Sequence, residues 1–439
     1  MDFLNGNIRS MYGKYLSAAF GSALIGCIYT MVDTAVVGQY QGPQGTAALA
    51  VVAPCWNLIY SLGLLLGAGG GVIFSTRRGG GAGDGSENQY FTASVIGAAV
   101  LTWLGIWCFE TPVLTFFGAD AELLPLAQTY LGPVKFVFPL FLVNEMLMFF
   151  LQTDGNPGRA TLAILSGGIF NIFGDIFFVF GCNMGIFGAG LATAIGAAIS
   201  TCVMLTHFLS RKNTLRLVRP TRLFRRLREI LVTGFASFFV DVAMGILTVL
   251  FNRQIMNYLG ANALSIYGPV IQVSTFAQCC AYSVGQAAQP IMATNFGAGK
   301  GRRIRQVLRL ALGTSAFFGV FWTVLSMACP RLYIRVFMAP TPEILAMAPG
   351  IIRTYAVSFL LLPFNIFSTY YFQAIMKPRA ALVVSVARGL VISGGLILIL
   401  PALAGGNALW LTMPITELLV ALYSASALRR YTLTLPEVP

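Results

Sequence analysis

Five carboxylates stand inside apolar runs: Asp33 in "CIYTMVDTAVVGQY" (27–40), Glu145, Asp175, Asp241 and Glu417. An ionisable group at membrane depth is costly, so such residues pair, face a protein interior or mark an ion path. Asp33 and Asp175 have the most readable chemistry. Their runs cross in the same direction. Asp33 lies about 18 residues and Asp175 about 16 from the inner end, so at 1.5 Å per residue they share nearly one height. Asn171 is one helical turn from Asp175 on the same face, and Thr193 on the next run is level with them. Two nearby carboxylates in a low dielectric repel, which suits groups that load and unload a proton. Oxygen ligands suit Na⁺ equally, and its expected metal ligands are then Asp33, Asn171 and Thr193. The choice of ion stays open, as does a plain interhelical hydrogen-bond network. No cofactor beyond a bound H⁺ or Na⁺ is expected, and no catalytic residue.

The elements that would position these groups are membrane helices. The chain has 439 residues, of which 57% are hydrophobic and 10% charged, and the mean hydropathy is +0.77. Soluble domains carry about 25% charged residues. Apolar stretches able to span a bilayer are read at 15–38, 47–74, 90–117, 124–152, 159–181, 185–209, 230–258, 263–294, 304–328, 345–374, 380–403 and 407–428. No cleavable signal precedes the first, which is expected in the mature protein. The net charge of +13 reads as loop bias, not nucleic-acid binding. With the N-terminus in the cytoplasm, nearly all Lys and Arg fall inside, including those of "RKNTLRLVRPTRLFRRLR" (211–228), and the outer loops hold only Arg331 and Arg335. The positive-inside rule then puts both termini in the cytoplasm. The eight cysteines are scattered, without Cys-x-x-Cys, and read as small buried hydrophobes.

The chain also repeats itself. "GAGDG" (81–85) answers "GAGKG" (297–301), "ALAVVAP" (48–54) answers "ALSIYGP" (263–269), and "FLQTDGNPGRA" (150–160) answers "YFQAIMKPRA" (371–380). The lysine of "GAGKG" lacks the following Ser or Thr of a phosphate loop. The expected organisation is an N-lobe (1–209), a basic cytoplasmic linker (210–229) and a C-lobe (230–439). Six spans per copy make the repeat parallel, and a cleft between such halves is where a substrate would sit. Asn57 and Gln272 fall at matching positions, and Gln278, Tyr282, Gln286 and Gln289 share one helical face. They and Asp241 are the candidate cleft residues. The 15 Met and 34 Phe suit an adaptable cavity or simple packing. An offset near 220 sets Ile366 opposite Glu145, Gly395 opposite Asp175 and Val391 opposite Asn171. The second copy thus lacks the acids, and the ion site is expected in the N-lobe. Asp241 is the C-lobe candidate unless Arg253 neutralises it. Glu417 reads as packing or gating, and Lys135, Arg353 and Arg388 as counter-charges or snorkelling groups.

"VDTAVVGQYQGPQGTAALA", "RRGGGAGDG", "DGNPGRA", "NIFGDIFFVFGCNMGIFGAGLATAIG" and "QPIMATNFGAGKGRRIRQ", in this order and spacing, resemble the multidrug and toxic compound extrusion (MATE) family, and look most like its prokaryotic DinF-like and MepA-like branch. The resemblance implies an all-α integral membrane protein of twelve helices in two lobes around a V-shaped cleft. It implies an antiporter in the cell membrane that admits H⁺ or Na⁺ and expels organic cations or amphipathic compounds. It also implies an N-lobe cation site at Asp33 and Asp175, with Asn171 and Thr193, and Glu145 at a polar position of that network. The expected partners are small-molecule substrates and the bilayer, without nucleic acid, and the chain is expected to be a monomer. An oligosaccharide-lipid flippase of the same superfamily is the alternative. An enzyme is not expected: His207 is the one histidine, and neither a His/Cys/acid cluster nor Gly-x-Ser-x-Gly is present.

Overall fold

The computed structural model describes residues 3–81, 85–105, 111–116, 121–337 and 341–435. Residues 82–84 of "GAGDG", and 106–110 and 117 of the expected third span, lie outside them. The architecture is all-helical. The first half of the chain forms α1 (Ile8–Gly79), α2 (Asn88–Gly105), α3 (Thr111–Phe116), α4 (Leu123–Thr153), α5 (Pro157–Ile176) and α6 (Gly185–Leu205). The second forms α7 (Leu223–Tyr258), α8 (Ala261–Gly297), α9 (Gly301–Ala328), α10 (Pro330–Phe337) and α11 (Pro342–Ala356). It ends with α12 (Leu362–Ala374), α13 (Pro378–Val386), α14 (Ile392–Ala404) and α15 (Thr412–Leu433). α1 holds two spans, Ile8–Gly42 and Val51–Gly79, and breaks at Gly42.

Among the described residues ten helices are long and apolar enough to cross a membrane, against the twelve expected. α2 and α8 stand where the third and eighth spans were read and are not among the ten. α2 opens on Asn88 and Gln89, and α8 carries Gln272, Gln278, Gln286, Gln289 and Asn295, so polar side chains lower the hydropathy of both. Pro133 and Pro139 inside α4, and Pro269 and Pro290 inside α8, are tolerated because neighbouring groups can take the freed backbone positions.

The chain divides into two compact units. One is Met1–Gly6 with Ser17–Phe238, and the other is Asn7–Leu16 with Phe239–Pro439. Residues 210–222 therefore belong with the first unit, and the division falls inside α7. In the first unit α5 and α6 meet backbone to backbone. A Cβ on Gly167 would run into the carbonyl of Gly196, and one on Gly196 into that of Gly167. Small residues of this kind allow the close packing that holds membrane helices together. The second unit is built around large apolar side chains, among them Phe251, Ile266, Tyr267, Tyr355 and Trp410.

One turn recurs in both units. After α4 the Asn156 N–H donates to Leu151 O at 2.9 Å, and after α12 the Lys377 N–H donates to Phe372 O at 2.8 Å. Gly155 (φ 79) and Met376 (φ 55) hold the left-handed position of each turn, and a proline opens the next helix in both.

Candidate functional site

α1, α4, α5 and α6 bring a buried cluster of oxygen atoms together inside the first unit. Asp33 comes from α1, Tyr130 from α4, Asn171 and Asp175 from α5, and Thr193 from α6. Tyr130 Oη donates to Asp33 Oδ2 at 3.1 Å, and Asn171 Nδ2 donates to Thr193 Oγ1 at 3.0 Å. Asp175 lies within electrostatic reach of Asp33. Tyr130 is within reach of Asp33, Asp175 and Thr193 together. Asp33 is 9% exposed and Asp175 0%. Yet Asp33 Oδ1, Asn171 Oδ1 and both oxygens of Asp175 have no protein hydrogen-bond donor.

Buried polar atoms are nearly always hydrogen-bonded, and leaving one unmade costs about 1–3 kcal/mol. Four unpartnered acceptors in one place, two of them on one carboxylate, make a local excess of negative charge with no ion-pair partner among the described residues. Such an arrangement can take up a proton, or coordinate a small hard cation through carboxylate, amide and hydroxyl oxygen. Glu145 sits about four turns further along α4 than Tyr130, a rise of ~22 Å, and its charge reaches Tyr29. The cluster around Asp33 is thus completed by Tyr130, which the sequence reading passed over. Tyr29, one turn before Asp33, was passed over too, although the i, i+4 spacing to the acid was a signal.

The second unit treats Glu417 differently. Glu417 is 0% exposed and fully partnered. Arg388 Nε donates to its Oε1 at 2.7 Å, and Asn365 Nδ2 to its Oε2 at 2.7 Å. Arg388 is therefore a counter-charge and not a snorkelling group. Asp241 keeps one buried oxygen, Oδ2, without a donor. Arg253, about 18 Å along α7, is exposed and does not neutralise it. Asp241 and Arg388 both lie within electrostatic reach of Tyr282, whose ring meets Tyr370 edge-on at 6.5 Å.

The other cleft candidates are dispersed. Asn57 on α1 and Gln272 on α8 are exposed. Gln278 and Gln286 are buried, and Gln278 Nε2 donates to Ser274 Oγ at 3.3 Å. Gln289 is spent on Gln373, at 2.9 Å.

A further cluster, centred on Asp154 just past α4, was not anticipated. Its Oδ1 accepts from Arg78 Nη1 at 2.8 Å and from the Thr214 hydroxyl. Its Oδ2 accepts from His207 Nε2 at 2.8 Å and from the Thr214 amide at 2.9 Å. Burial alone would push this carboxyl up, but the hydrogen bonds from His207 and Thr214 and the Arg78 charge hold it below the usual carboxylate range.

Among the described residues, ten helices long and apolar enough to cross a membrane define a multi-pass membrane protein, and the relatives of the chain are transporters. The MatE family model matches the chain twice, over residues 18–177 and 235–394, and the chain belongs to the MatE family. A multidrug export protein MepA of Staphylococcus haemolyticus is 26% identical over 422 residues, covering 94% of this chain and 90% of the relative. A solved outward-facing multidrug resistance MATE family transporter of the MOP superfamily superposes with a TM-score of 0.89 at 20% identity, over 99% of this chain and 98% of the other. A MOP superfamily transporter from Pyrococcus furiosus also gives 0.89, at 19% identity and the same coverage. These two likenesses show the fold.

Proposed function

We propose that the protein is a cation-coupled efflux antiporter that expels organic cations or amphipathic compounds, with its coupling site in the first unit. The observation that carries this reading is the set of four unpartnered acceptor oxygens on Asp33, Asn171 and Asp175. The named relative, a multidrug export protein, supports the substrate class. The coupling ion, H⁺ or Na⁺, is cargo. Asp175 and Asp33 take the charge, Asn171 and Thr193 contribute neutral oxygen, and Tyr130 orients Asp33. Glu145 is the outlying member of the network, reaching it through Tyr29, which lies within electrostatic reach of both Glu145 and Asp33.

Loading the site removes an uncompensated negative charge from the interior. That change biases the carrier between its two arrangements only by the ion's difference in affinity for them. A tenfold difference is worth about 1.4 kcal/mol. The loaded form releases substrate outward, and unloading inside resets the carrier.

The test uses full-length protein in vesicles with an imposed pH or Na⁺ gradient and a panel of cationic dyes. Wild type dissipates the gradient when dye is added, which an oligosaccharide-lipid flippase does not. Asp33→Asn inserts and folds but loses gradient-driven efflux by about a hundredfold or more, the loss of roughly 3 kcal/mol of coupling. If Asp33→Asn keeps full ion-coupled efflux at matched expression, Asp33 is a structural hydrogen-bond partner and this mechanism is wrong.

A further inference from the structure

Residues 210–222, between the terminal turn of α6 and the start of α7, are fastened along their length. The Thr214 N–H donates to Asp154 Oδ2 at 2.9 Å, the Arg216 N–H to Asn88 Oδ1 at 2.9 Å, and the Val218 N–H to Thr92 Oγ1 at 3.0 Å. Amides at 214, 216 and 218 are thus each committed to a side chain of the first unit. The Thr221 N–H is committed too, donating to Gln89 Oε1 at 3.0 Å. Leu215, within the segment, is buried. Asp154 and His207 have no counterparts in the second copy, where Ile375 and Ala427 stand at or near the matching positions. The repeated scaffold does not need them, and Asp154, itself held by His207, fastens Thr214 of this segment.

The remaining surface is exposed and of one charge. Arg211, Lys212, Arg216, Arg219, Arg225 and Arg228 are exposed, and 211–228 contains no acid. Glu229, the first acid beyond it, engages Arg225 at 3.1 Å. Large apolar side chains stand among the cations: Leu209 is 88% exposed, Leu217 69% and Phe224 88%. The segment joins the ends of two spans, Gly185–Leu209 and Leu223–Tyr258, and so lies at a membrane surface. Apolar tips that enter the acyl boundary, flanked by guanidinium groups at phosphate level, are the pattern of an anionic lipid surface. An acidic soluble partner would meet the charge but leave Phe224 and Leu217 in water.

We propose that this fastened segment is a binding surface for anionic phospholipid headgroups. The cations act as a preset array, because the segment that carries them is already ordered by its hydrogen bonds and loses little freedom on binding.

The experiment measures phosphatidylglycerol and phosphatidylcholine binding to the full-length detergent-purified protein by native mass spectrometry. R211Q/R216Q/R219Q/R228Q removes four cations of the surface. R302Q/R309Q/R379Q/R430Q removes four exposed cations of the second unit and changes net charge equally. N88A/T92A frees two amides without changing charge. Wild type is expected to bind phosphatidylglycerol at least about tenfold more tightly than phosphatidylcholine, and the preference should fall with added salt. The first variant loses most of that preference, the second keeps it within about twofold, and N88A/T92A weakens phosphatidylglycerol binding by about threefold or more. Undiminished preference in the first variant overturns the proposal. An equal loss in the second variant overturns it too, since net charge alone would then be the cause. Wild-type affinity in N88A/T92A overturns the preset array. Should the first variant fail to fold, wild-type binding that ignores salt and headgroup is itself a refutation.

Discussion

Asp175 and Glu417 are both fully buried carboxylates, and they are treated in opposite ways. Glu417 is locked by Arg388 and Asn365, while Asp175 has no donor at all. Removing one member of a buried pair costs about 3–5 kcal/mol, because it strands the other, while replacing both can be nearly neutral. Arg388→Met should therefore lower the unfolding free energy by about 3 kcal/mol or more, and Arg388→Met/Glu417→Met should recover most of the loss. A double-mutant cycle from thermal melts in detergent measures this. Asp175→Asn is expected to abolish gradient-driven efflux and Asp241→Asn to reduce it less; equal loss at matched expression would shift the coupling site to the second unit. Asp154 works through its partners, and its carboxyl lies below its unfolded value. Its stabilisation is thus complete above the usual carboxylate range and is lost as pH falls through the depressed folded value. Asp154→Asn should open residues 210–222 to protease at neutral pH, while wild type resists until the pH drops below that range.

At the scale of elements, the sequence carried charge and periodicity but not contact. The shared height of Asp33 and Asp175 followed from counting turns along two co-directional spans, and they do lie within reach of each other. Tyr130 was not legible. A tyrosine at the end of an apolar run bears no charge to draw notice, and its placement depends on Gly190, where a Cβ would strike the Tyr130 carbonyl. The polar stripe of α8 was legible as a stripe, but whether each glutamine meets protein or a cavity depends on the neighbouring helix. Gln373 on α12 decides it for Gln289. The recurring turn offers a test within one molecule. Met376 holds a left-handed conformation that costs a non-glycine residue about 1 kcal/mol, where the first unit uses Gly155. Met376→Gly should stabilise the protein by about 0.5 kcal/mol after the entropy of the unfolded glycine is counted. A lower melting temperature would mean that the methionine side chain matters more than the strain.

At the scale of the molecule, duplication was legible because short motifs keep their order, and the family model matches the chain twice. What duplication hides is divergence: the first unit leaves both oxygens of Asp175 unpartnered, while the second holds the neutralised Arg388–Glu417 pair as well as Asp241 with one unpartnered oxygen. Cysteine-accessibility mapping should find residues 210–222 and the end of α15 on one face of the membrane, as the distribution of Lys and Arg requires; opposite faces would break the parallel repeat. The fastened segment also changes what kind of object the connection is. Thirteen free residues would behave as a coil with a root-mean-square span of roughly 20 Å, and the start of α7 could wander through that volume. Tied at Thr214, Arg216, Val218 and Thr221, the connection has no slack to spend. It works as a strut, and the first turn of α7 inherits the stiffness of the helices that hold it.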